Sequence, residues 1–182
     1  MRFLLALVAT AVVDVGCSPS WDRPYAPARL APDAARSPAT RSPASAATVD
    51  DGDAVPLEDR RIFDEVNRVR AQWRLAPFRW NDRLHQAARD HSEDQRRAGR
   101  MGHGSPDPRK ADLADRLRAA RYGPATKWAE VVARGYEGPA SVVTGWMNSR
   151  GHRTILTDPE LEEAGFARVG EFFTGDFGTP RR

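Results

Sequence analysis

Helical periodicity fills most of the foldable stretch and strands cluster at its end, which predicts an α+β fold with helices packed on an antiparallel sheet. Two observations carry this. Ile62, Val66, Val69 and Trp73 fall at i, i+4, i+7 and i+11, one face of a helix, and a second amphipathic run follows from Asn81 to Ala98. Late in the chain, Glu163–Val169 and Phe172–Phe177 read as two strands joined at Gly170-Glu171 in a hairpin.

The chain opens with Met1-Arg2 and an apolar run from Phe3 to Val13, the pattern of an export signal rather than of a mature spanning helix. Gly16-Cys17 at the end of that run resembles a bacterial lipobox, which implies lipidation of Cys17; Asp14 departs from the usual apolar residue there. Residues 18–56 hold 7 of the 14 prolines and 10 alanines with no apolar periodicity. Such a segment cannot bury enough surface to fold and reads as a disordered tether, leaving 57–182 as the folded domain.

Within that domain Glu58 and Asp59 suit the first turn of the opening helix, and Pro77 ends the segment. Asn81 is an N-cap, Leu84, Ala87, Ala88, His91 and Gln95 form the inner face of the second helix, and Gly99 closes it. Residues 101–108 form a Gly- and Pro-rich loop. A third helix is expected over Asp112–Arg121 with Gly123 as its stop, then an extended stretch at Trp128–Ala133. Pro139 opens a fourth helix carrying Val142, Val143, Trp146 and Met147 and giving out before Gly151, where the backbone is expected to turn and present His152. Trp73, Trp80, Trp128 and Trp146 are expected in the core, His91 is expected buried and hydrogen-bonded, and His85 is expected at the solvated side.

Composition narrows the function classes. Hydrophobic residues make up 40% of the 182, enough for one core and too few for a membrane protein. Net charge is +3 with both signs interleaved, as in Glu93-Asp94 before Arg96-Arg97, so no one-sided basic stripe marks a nucleic-acid groove. Cys17 is the one cysteine and lies in the leader, which excludes an internal disulfide and a cysteine nucleophile in the domain.

Six segments in order resemble the CAP superfamily of cysteine-rich secretory, antigen 5 and pathogenesis-related 1 proteins, in its bacterial secreted form. They are Asn67–Arg70 with Leu75–Trp80, Leu84–Ser92, Met101-Gly102-His103, Asp115–Gly123, Ala129–Ala133, and Trp146–Arg153, with Phe172–Gly178 similar to the closing strand. The resemblance implies an α-β-α sandwich, about four helices around a small sheet, with a central cleft. It implies His103, Glu130 and His152 as cleft residues, with Trp146 and Ser149 as secondary candidates. Val131 and Thr154 stand where the family usually has Asn, which removes hydrogen bonding around the cleft. No acid occupies Met147-Asn148-Ser149, where a second cleft carboxylate would be sought; Glu137, Glu160 and Glu163 are substitutes without motif support.

Two imidazoles and a carboxylate form a ligand set for zinc or another divalent metal, with His103 and His152 as ligands, although the positions are far apart in sequence and only the fold can unite them. Nothing resembles Gly-x-Ser-x-Gly or His-Glu-x-x-His. The expectation is an exported, monomeric head domain, held to a membrane only through Cys17, that binds a small-molecule, lipid-like, glycan or peptide ligand of the envelope or surroundings. The alternative is a metal-assisted hydrolase with Glu130 as base, His152 as acid or ligand and Ser149 as nucleophile.

Overall fold

A computed structural model describes residues 55–182; the leader, Cys17 and nearly all of the tether lie outside the described residues. Helix α1 (Leu57–Gln72) opens with Glu58 and Asp59 in its first turn and buries Ile62, Val66 and Val69. It stops one residue before Trp73, so Trp73 caps the helix, falls off its buried face and is 48% exposed rather than in the core. A two-residue strand β1 (Arg79–Trp80) leads into α2 (Asp82–Ala98). Asn81 caps α2 by accepting from the Arg83 and Leu84 amides, and Gly99 ends it in the left-handed conformation.

After a single 3-10 turn, Pro108–Lys110, α3 (Leu113–Ala119) is shorter than its sequence pattern, and Arg121 rather than Gly123 takes the left-handed position behind it. Strand β2 (Ala125–Arg134) is followed by α4 (Pro139–Asn148) and a separate helix α5 (Arg150–Leu156). The break falls at Ser149, which is extended, and Gly151 lies inside α5; the expected turn at Gly151 is therefore corrected by two residues. Strands β3 (Glu163–Val169) and β4 (Phe172–Pro180) form the hairpin, with Gly170 at positive φ in its turn.

The sheet order is β1-β3-β4-β2. The hairpin and the β4–β2 pairing are antiparallel, while short β1 joins β3 in parallel and makes the sheet mixed. Register sorts the side chains into two faces, because successive residues of a strand point to opposite sides. On one face Val131, Ala133, Phe166, Phe173 and Phe177 pack with Ile62, Val66, Val142, Val143, Trp146 and Met147 from α1 and α4. On the other, Leu84, Ala87, Leu117 and Ala120 from α2 and α3 pack with Tyr122 and Trp128 in a smaller cluster. The domain is thus an α-β-α sandwich, with five α-helices among the described residues.

Close approach of α2 to the sheet depends on Gly165. A Cβ there would sit 2.0 Å from the His85 amide nitrogen, so only glycine admits the helix backbone. This docking also explains why His85 is buried rather than solvated. Its Nε2 lies 2.9 Å from Asp59 Oδ2, and Asp59 Oδ1 accepts from the Arg168 amide at 2.9 Å, tying α1, α2 and β3 together.

Candidate functional site

The site is built where α2, α3 and the 101–108 loop meet β2 and β4. Glu130 points from β2 to the α2/α3 face and is 6% exposed. A buried carboxylate needs donors on both oxygens. His103 Nδ1 lies 2.8 Å from Oε1, and Arg116 Nη2 donates to Oε2 at 2.5 Å. Arg116 is itself buried, and its Nη1 donates to the His103 carbonyl at 3.0 Å, so one guanidinium fixes both the carboxylate and the loop that carries the histidine. Burial alone would raise the Glu130 carboxyl; the His103 bond and the Arg116 charge outweigh it and hold the group below the usual glutamate range.

The loop is pinned from α2 as well. His91, fully buried as expected, donates from Nε2 to the Gly102 carbonyl at 2.8 Å, which fixes its tautomer, and stands 3.7 Å from Glu130 Oε2. Burial, with the Arg116 charge, lowers the His91 imidazole below its usual range and keeps it neutral. Gln95 accepts from the Gly102 amide at 3.2 Å and donates to Thr174 Oγ1 at 3.1 Å, and Ser105 donates to Asp94 at 2.9 Å.

Upon this buried base stands His103, whose side chain is 44% exposed. His152, on α5, is half-buried and close enough to His103 for their charges to interact; burial first, and His103 second, lower its imidazole below the usual range. The fold thus joins His103 to Glu130 by a hydrogen bond and sets His152 within electrostatic range of His103. Trp146 is a core residue of the opposite face, 1% exposed, with Nε1 donating to the Val132 carbonyl at 3.2 Å. Ser149 is the hinge residue between α4 and α5. Val131 is buried in the apolar face, and Thr154 bonds within its own helix to the Arg150 carbonyl at 3.0 Å.

The substitute acids are engaged elsewhere or exposed. Glu163 accepts from Asn81 and Tyr122, Glu160 pairs with Lys127, and Glu137 is exposed. The second buried carboxyl at the site is Asp176 on β4, the register partner of Glu130 and 0% exposed. Burial first, then the Glu130 charge, raise its carboxyl well above the usual aspartate range. Sequence reading missed both Asp176 and Arg116. The available signal was a lone acid in the otherwise uncharged Phe172–Gly178 and an arginine at the inner face beside Leu113 and Leu117.

Metal fit is decided by the donors. Zinc with three protein ligands needs all three within about 2.0–2.2 Å of one point. Glu130 already has His103 on one oxygen and the fixed positive charge of Arg116 on the other. Among the described residues no three His, Cys, Asp or Glu side chains are placed to hold an ion. The set does not fit a metal in this arrangement, and Glu130, with its side chain 3% exposed, is placed to orient His103 rather than to reach a substrate.

The family model described as "CAP: Cysteine-rich secretory protein family" matches residues 63–176. The chain belongs to the CAP family. Its single cysteine, Cys17, lies outside the matched domain, so the cysteines of the family's name play no part in this domain. Two similar proteins of Bacillus subtilis (strain 168) are the uncharacterized membrane protein YlbC, 28% identical over 65% of this chain and 34% of its own length, and the uncharacterized protein YkwD, 27% identical over 76% of this chain and 55% of its own. The chain therefore spans between a third and about half of these relatives. Among solved structures, the SCP-domain extracellular protein of Bacillus anthracis str. Ames aligns with a TM-score of 0.64 at 27% identity, covering 67% of this chain and 40% of that one. An outer surface protein of Borrelia burgdorferi aligns at 0.61 and 21% identity, covering 69% of this chain and 95% of that one, and shares the fold. A structure of the same domain at 27% identity is thus that of an extracellular protein, and among the described residues no helix is long and apolar enough to cross a membrane.

Proposed function

We propose that this CAP domain is an exported binding head that takes an envelope or extracellular ligand, lipid-like, glycan or peptide, at the His103/His152 pair, with Glu130 orienting His103. One observation carries the reading: an imidazole left 44% exposed while its Nδ1 is held by a buried, charge-compensated carboxylate. With Nδ1–H given to Glu130, Nε2 remains as the hydrogen-bonding atom for a ligand, and neutral His152 beside it adds one donor and one acceptor. That inventory suits hydroxyl and amide groups. Two concavities lie on this side of the sheet, and neither is lined by His103, Glu130 or His152 themselves. One of 150 Å³ is walled by Gln95, Met101, Gly102 and Gly104 of the His103 loop, and one of 480 Å³ lies between α3 and β2 along Leu117, Tyr122 and Trp128.

The test uses the full chain purified from a bacterial envelope, with bound small molecules extracted and identified by mass spectrometry. A molecule present in the wild type and absent from both His103→Ala and His152→Ala supports the reading. Nothing bound to any of the three, or equal retention by all, overturns it. Anchoring at Cys17 belongs to the same proposal; fatty-acid label should enter the wild type and be absent from Cys17→Ser. The Glu130–His103 dyad also favours a second reading, hydrolysis with His103 as the oriented base for a water, which needs no metal. Hydrolysis of ester or peptide probes that persists in His103→Ala would sink it.

A further inference from the structure

Asp176 is fully buried, and neither of its oxygens meets a protein donor. As a carboxylate it would be a buried anion beside a second one, with a single guanidinium already committed to the other. Such an arrangement is costly, because a buried charge requires a partner. As an acid it has an acceptor in reach, the Glu130 carboxylate opposite it on β2. Among the surrounding charged and titratable groups Arg116 is the one fixed cation, with Nη2 on Glu130, Nη1 on the His103 carbonyl and its buried Nε meeting no acceptor. Arg116 from α3 faces both acids, His91 from α2 is neutral with Asp94 behind it, His103 comes from the loop, and the β3 register partner is Gly165, which has no side chain.

We propose that Asp176 is a positioning residue: its un-ionised carboxyl donates a hydrogen bond to Glu130 and holds that carboxylate in the orientation that fixes His103. Glu130 then has three partners, Asp176, His103 and Arg116, and the buried cluster carries one negative and one positive charge. The proton stays on Asp176 because it is the acid without a cation of its own. This rests on His103 being a ligand-binding residue, and it explains what holds that residue in one tautomer and one direction. Burial of the acid form has a sign. A carboxyl raised on folding contributes stability that is fully present below its unfolded value and is lost as pH rises toward its folded one. Asp176→Asn, which keeps a neutral donor, should therefore be at least as stable as the wild type near neutral pH, with the advantage shrinking toward pH of about 4.

The experiment is NMR on the full-length chain labelled with carbon-13, following the Asp176 carboxyl carbon from pH about 2.5 to about 8, assigned by its loss in Asp176→Asn. The expected result is the acid-form shift at neutral pH with no inflection in the ordinary carboxylate range; an inflection near the usual aspartate value overturns the proposal. A second readout is the His103 ring tautomer, read from nitrogen-15 shifts in two variants. Asp176→Asn should keep the Nδ1–H form, whereas Asp176→Leu should lose it in part, since Glu130 is then free to turn away from His103. An Asp176→Asn ring that loses the Nδ1–H form, or an Asp176→Leu ring identical to wild type, rejects the assignment. If Asp176→Leu fails to fold, the carboxyl titration and the Asn variant still decide. No arm uses a ligand, so a chain that co-purifies with nothing defeats the binding reading alone, and an ordinary Asp176 titration defeats this inference alone.

Discussion

The two faces of the sheet are built from the same three long strands and differ in almost everything else. The α1/α4 face is apolar and aromatic for the most part, with Phe166 set edge-on to Phe177 at 5.4 Å and tilted against Trp146 at 6.1 Å. The α2/α3 face buries Glu130, Asp176, Arg116, His91, Ser92, Gln95 and Thr174 around a modest apolar cluster. The first face stabilises by area and packing, terms that do not depend on pH. The second makes stability conditional on pairing, and in return it holds an exposed histidine in a fixed direction. The proposed site sits on the face where stability was harder to obtain, as expected when buried polar groups serve a site rather than the core.

Substitutions on each face in turn test that contrast. Arg116→Met leaves Glu130 buried without its cation and should cost about 3–5 kcal/mol near neutral pH. Glu130 is lowered on folding, so its contribution is present above the unfolded value and lost as pH falls through the folded one. The Arg116→Met deficit should accordingly shrink in acid, measured by urea unfolding across pH. Phe166→Ala on the other face should cost a similar amount, about 3–5 kcal/mol, with no pH dependence. Equal pH profiles for the two variants would erase the distinction drawn between the faces.

Gly165→Ala probes the α2/α3 face through the backbone. It forces α2 off β3 and should cost about 1–3 kcal/mol or more, and it should move His91 and the His103 loop, visible as amide shift changes around Gly102. A milder lever is the buried His91. Its imidazole is lowered on folding, so stability should decline as pH falls below about 6.5, where the unfolded ring takes up a proton that the folded one refuses. His91→Gln should flatten that limb, and an unchanged slope would assign it to His152. Asn81→Ala should cost about 1 kcal/mol through the lost cap of α2. Trp73→Ala, at an exposed helix end, should stay within about 0.5 kcal/mol.

Legibility followed the range of the interaction. The i, i+4, i+7 pattern of Ile62, Val66 and Val69, the Asn81 cap, Gly99 and the Gly170 hairpin are settled within a few residues, and each stands in the structure where the local pattern places it. Trp73 failed because the periodicity outlasts the helix by one residue. Gly151 failed because glycine permits a turn without requiring one; the break went to Ser149. His85 failed because its burial is fixed by a contact with Asp59, on a different helix.

Residue pattern was enough for α1, α2, α4, the hairpin and the resemblance to the family, and that resemblance named His103, Glu130 and His152 as the residues to bring together. What Glu130 is bound to was settled only by contacts between distant elements. Its partnership with Arg116 depends on α3 docking over β2, and its partnership with Asp176 depends on the register in which β2 pairs with β4. A slip of one residue in that register would turn the aspartate to the aromatic face. No local pattern encodes such a choice, because it is made by two strands meeting across the fold, and it is the choice that turns an ordinary strand residue into part of a site.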